Sequence, residues 1–101
     1  MITKGTTPIH KFTFPFEKND MEKITITYKQ GKELLKKQIN EIGYEPGQLI
    51  VNLTQEETLK FKSSSNASVE IQIKCKNKNG KIFASNIIAT SVGRILDEEV
   101  M

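Results

Sequence analysis

From Val69 to Lys76 the chain alternates apolar and polar residues without a break, as Val-Glu-Ile-Gln-Ile-Lys-Cys-Lys. Such a period of two marks a β-strand with one buried and one wet face. Asn77-Lys78-Asn79-Gly80 follows, and Asn-Gly is a strong hairpin signal. A second apolar-rich run, Lys81 to Val92, is expected to return beside the first. Met21 to Lys29 repeats the alternation, with Ile24, Ile26 and Tyr28 inward and Lys23, Thr25, Thr27 and Lys29 outward. Gln48 to Leu53 does the same through Leu49, Val51 and Leu53. Thr7 to Phe14 reads as the first strand, with Pro8, His10, Phe12 and Phe14 in one phase. Proline at its start points to an edge or a strand beginning.

Two segments break this rhythm. Lys32–Ile42 places Leu35, Ile39 and Ile42 at helical spacing, yet it follows a Gln30-Gly31 turn, so a strand is expected and an amphipathic helix is the alternative. Thr54-Gln55-Glu56-Glu57 matches a capping box and predicts one helical turn near residues 55–59, with Leu59 and Phe61 packing beneath it. Gly43 to Gly47 reads as a turn, and Lys62 to Asn66 as a polar loop. About seven short strands with turns roughly every ten residues predict an all-β fold, an immunoglobulin-like two-layer β-sandwich. It is expected to form one domain over residues 1–101, with 1–6 as an N-terminal arm and 93–101 as a C-terminal tail.

Composition narrows the functional classes. The 101 residues are 37% hydrophobic and 27% charged, ordinary for a soluble globular chain. No apolar run approaches a membrane span, and no signal peptide is recognisable at the start. The expected location is the cytoplasm of the producing cell, or an assembly that leaves it. Cys75 is the lone cysteine, so no intramolecular disulfide is available; its phase makes it a buried hydrophobe. The net charge of +3 comes from lysine, since Arg94 is the sole arginine. Residues 1–92 hold fourteen Lys against nine carboxylates, whereas residues 93–101 hold Arg94 against Asp97, Glu98 and Glu99.

Catalytic chemistry finds little to work with. His10 is the single histidine and has no neighbouring nucleophile or base in the sequence. A zinc site needs three or four ligands of the right type, and a calcium loop needs alternating oxygen ligands around a turn glycine. Neither pattern occurs, and no cofactor is expected. Lys74, Lys76, Lys78 and Lys81 would project from one hairpin, but no aromatic platform or arginine fork joins them, so nucleic-acid binding is a minor reading. Partner binding through the termini requires least. The arm and first strand offer Ile2, Thr7, Pro8, Ile9 and His10, and the tail offers Arg94, Ile95, Leu96 and Val100, as β-augmentation or apolar anchors.

Three stretches carry a resemblance: Lys4 to Phe16, with its G-T-T-P-x-H-x-F-x-x-P-F opening; Leu53 to Leu59; and Ala84–Ile88 together with Val92–Val100. Across essentially the whole chain they resemble small uncharacterised proteins encoded in phages and prophages of Firmicutes. A more distant, fold-level analogy is the sandwich domain at the start of phage baseplate upper proteins. The resemblance implies a non-catalytic structural or adaptor protein of the head–tail or tail–baseplate region, with other phage subunits or its own copies as partners. A small phage regulatory protein that binds a host factor is the alternative, ahead of a weak nucleic-acid binder through the Lys74–Lys81 hairpin.

Overall fold

A computed structural model describes residues 1–63 and 68–94. Two long central strands, β3 (Met21–Gln30) and β7 (Ser68–Asn77), pair antiparallel and place Tyr28 opposite Ile71, Ile26 opposite Ile73 and Ile24 opposite Cys75. All six are buried, as the alternation requires. The strand β4 (Glu33–Gln38) returns beside β3 over a turn at Gly31, whose φ of +57° suits glycine. The ambiguous Lys32–Ile42 segment is therefore strand over most of its length, and it closes in a single 3-10 turn at Ile39–Glu41.

Beyond Gly80, with φ +87°, the chain comes back along β7 in two pieces, β8 (Ile82–Ala84) and β9 (Ile88–Gly93). One unbroken run was expected. Ser85 splits it: its backbone N–H donates to the Ile73 carbonyl at 2.8 Å, while its hydroxyl accepts from the Ile73 N–H at 2.9 Å. A side-chain oxygen thus takes the place of a ladder carbonyl, and the regular pairing is interrupted between β8 and β9. The large sheet runs β1-β9-β7-β3-β4, with β8 also on β7, where β1 (Ile2–Thr3) pairs parallel to β9.

That last pairing corrects the expected free arm. Ile2 lies opposite Val92 and is 1% exposed, so it belongs to the core. Residues 4–6 are stitched down as well. Lys4 N–H donates to the Gly93 carbonyl, the Gln55 amide donates to the Gly5 carbonyl, and the Thr58 hydroxyl donates to the Thr6 carbonyl. Gly93, placed in the tail by sequence, is the last residue of β9. Ile95, Leu96 and Val100 lie outside the described residues.

A three-stranded sheet, β2-β6-β5, faces the larger one. It comprises β2 (Ile9–Thr13), β5 (Gly43–Glu45) and β6 (Gln48–Asn52), and residues 43–45, expected in a turn, form a strand ending at Pro46-Gly47. Phe14, Leu49, Val51 and Leu53 from this side join Ile24, Ile26, Tyr28, Val69 and Ile71 in one buried cluster. Full burial of each such aliphatic side chain is worth about 1.5–3 kcal/mol. The fold is all-β, as expected, with nine strands among the described residues rather than about seven.

A short helix, α1 (Gln55–Leu59), sits where the capping box placed it: Thr54 Oγ1 accepts from the Glu57 N–H, and Glu57 Oε1 accepts from the Thr54 N–H. Glu57 also receives Lys37 Nζ at 2.8 and 2.9 Å, and Lys37 points inward from β4 and is buried. Gln30 closes the same end by clamping the Lys62 backbone, donating at 2.8 Å and accepting at 2.6 Å.

Candidate functional site

The small sheet is narrower than the sheet it covers, and β2 is where it stops. The Pro8 carbonyl accepts from the Leu53 N–H, and the Phe14 N–H donates to the Gly47 carbonyl. Antiparallel ladders alternate, so Pro8, His10, Phe12 and Phe14 direct their backbone groups to β6. The N–H and C=O groups of Ile9, Lys11 and Thr13 therefore turn to the open side. An open edge of this kind is a template for another strand. Ile9, Lys11 and Thr13 are also exposed along their side chains, Ile9 at 62%.

Beside this edge lies an apolar groove of about 250 Å³, lined by Thr13, Phe14 and Phe16 on one side and Ile73, Cys75 and Phe83 on the other. Its aromatic rim is ordered by ring contacts. Phe16 meets Phe14 edge-on at 5.5 Å and lies tilted on Phe83 at 4.7 Å. Further along the same inner face, Ile88 sits opposite the buried Ile71, yet it remains 45% exposed. The large sheet thus has inner-face apolar surface that β2 does not roof. Cys75 lies in the groove wall, and burial pushes its thiol pKa up, which keeps it a neutral apolar lining group.

His10 anchors β2 to the sheet opposite. Its Nδ1 lies 2.7 Å from the Tyr28 hydroxyl, and the two rings stack at 5.7 Å. Burial, reinforced by the Glu57 charge, raises the Tyr28 pKa far above its ordinary value, so the phenol stays protonated and donates. His10 Nδ1 is then the acceptor, and the neutral ring carries its proton on Nε2. Burial, aided by the positive N-terminus, lowers the His10 pKa below 6.5. A histidine neutral in the fold binds its proton more readily when unfolded. Its contribution is complete above pH 6.5 and is lost as pH falls through the folded value. Urea unfolding at pH 7.5 and 5.5 should show lower stability at the acid end. His10→Gln, which keeps an acceptor but cannot titrate, should flatten that difference.

The residues singled out by sequence separate into groups. Thr7 and Ile9 are exposed, while Pro8 and His10 are half-buried at the start of the open strand. Ile2 is removed from any surface by its place in the core. Arg94 is exposed and ends the described chain beyond β9. Phe16, Phe83 and Ile88 were not singled out, since Phe16 lies in a turn between strands and the Lys81–Val92 run reads as a returning strand; only the mismatch in sheet width uncovers them. Among the described residues no three His, Cys, Asp or Glu side chains are grouped to hold a metal ion, and no helix is long and apolar enough to cross a membrane. The chain matches no protein-family model, no curated protein and no solved structure.

Proposed function

We propose that this chain is a non-catalytic structural or adaptor subunit of a phage particle, assembling with its own copies through β2. The observation that carries the reading is the open β2 edge beside an unroofed apolar groove. An added strand would find backbone partners at Ile9, Lys11 and Thr13 and apolar contacts at Phe83 and Ile88. The occupant we assign is residues 95–101 of a neighbouring copy. Their sequence, Ile-Leu-Asp-Glu-Glu-Val-Met, supplies apolar groups for the groove and carboxylates for Lys11 on the outer side. Tail-to-edge contact joins two different surfaces, so it closes as a reciprocal pair or a ring, or runs on as a filament. The phage context is supported by the resemblance of the three sequence stretches.

Light scattering after size exclusion tests it on the full chain, on a chain ending at Arg94 and on Lys11→Pro. Proline at position 11 removes an N–H that no strand of the fold uses. A multimer of the full chain that becomes a folded monomer in both variants is expected. A monomeric full chain, or a multimer that survives both changes, would overturn the proposal, and the first result favours the regulatory alternative.

A further inference from the structure

The other surface of the large sheet carries a different chemistry. Register places Lys23 directly opposite Lys76, Lys74 opposite Thr25 and Lys36 opposite Thr27, all on the face turned away from the core. These four lysines line a shallow groove of about 440 Å³ together with Thr25, Thr27 and Ile82. Lys76 has a carboxylate nearby, Glu22 at 3.7 Å, and both side chains are well exposed. Lys23, Lys36 and Lys74 form no ion pair among the described residues. Like charges directly across a strand pair destabilise it, and a bound anion relieves that repulsion. A second groove of about 290 Å³ continues along the sheet past Thr27 to Lys29, Gln72 and Ile87, where Glu70, opposite Lys29, ends the basic stretch.

The geometry points to binding of a single-stranded nucleic acid through its phosphate backbone on this outer face. Lysine ammonium groups serve as point charges for phosphate, whereas carboxylate recognition favours the bidentate arginine fork, absent from this face. Two grooves that share Thr27 give a linear polyanion a continuous path along the sheet face. Ile82 and Ile87, 58% and 59% exposed, line one flank where sugars and bases would rest. Without an aromatic or arginine side chain on the face, binding is expected to be independent of sequence. The sequence-based reading put any such role on the Lys74–Lys81 hairpin. Strand pairing moves it, because Lys81 turns to the Phe83 ring on the opposite side while Lys23 and Lys36 join Lys74 and Lys76.

The experiment is fluorescence anisotropy of a labelled oligothymidylate with the full chain over a salt series. Four phosphate contacts give a slope of log K against log salt of about −2.8, a loss of roughly fifty-fold between 50 and 200 mM. Lys23→Glu with Lys74→Glu should weaken binding at least about tenfold and bring the slope to about −1.4 or shallower. Lys60→Glu with Lys62→Glu makes the same change of net charge on exposed residues beyond the helix. This control should retain the wild-type slope. Equal losses in both double variants would reduce the effect to net charge and overturn the proposal. So would tighter binding to poly-glutamate or to phosphatidylglycerol vesicles than to the oligonucleotide, or no binding at the lowest salt. Circular dichroism of each variant ensures that a loss is not unfolding.

Discussion

Ile2→Ala is expected to cost about 3 kcal/mol, the middle of the range for truncating a buried isoleucine. The residue would be judged dispensable from its place next to the N-terminus. Its side chain is 1% exposed and packs in the same cluster as Phe61, Val69 and Val92. It also seats two neighbouring strands, since β1 pairs with β9 on the side away from β7. Deleting residues 1–6 removes that packing together with the carbonyls that receive Gln55 and Thr58. Its effect should therefore exceed that of Ile2→Ala. Thermal unfolding checks both: for a domain of this size about 3 kcal/mol lowers the melting temperature by more than ten degrees. A loss below about 0.5 kcal/mol, normal for an exposed site, would show that the arm is not part of the core.

The second large effect is expected at Lys37. Lys37→Ala leaves the Glu57 carboxylate without its cation in a poorly hydrated site. Breaking buried pairs costs about 3–5 kcal/mol, and the lower end applies because the Glu57 side chain keeps 17% exposure and the Thr54 cap. Burial by itself would raise the Glu57 pKa. The hydrogen bonds from Lys37 and from the Thr54 backbone outweigh it and hold the carboxyl below its usual 4.5. A depressed carboxyl pKa stabilises the fold above the unfolded value, and that contribution fades as pH falls through the folded one. Lys37→Ala should therefore both lower stability at neutral pH and weaken its acid dependence below pH 4.5. Pairing Lys37→Met with Glu57→Gln should recover most of the loss, because the amide oxygen still caps Thr54 and no charge is stranded.

Lys37 also shows where sequence reading reaches its limit. In β3, β6 and β7 the apolar phase is strict, so burial of Ile24, Leu49 or Val69 could be read directly. The capping box was equally legible, since its two hydrogen bonds join residues three apart. Glu-Leu-Leu-Lys-Lys-Gln has no strict phase, and the register that pairs Tyr28 with Leu35 and Ile26 with Lys37 turns a lysine inward. Its carboxylate partner arrives from a helix twenty residues away, which no local pattern reveals. Strands β1 and β5 were missed because two or three residues are too short to display a period. The open edge was half-visible: Pro8 marked a strand beginning, but the groove depends on one sheet being narrower than the other.

Amide hydrogen exchange along β2 tests the central claim most directly. In the full chain at assembling concentration, the amides of Ile9, Lys11 and Thr13 should become protected relative to the chain ending at Arg94. Those of His10 and Phe12, already bonded to β6, should be protected in both. Odd-numbered amides that exchange equally fast in the two chains would show that nothing pairs with this edge, and the assembly role would fall.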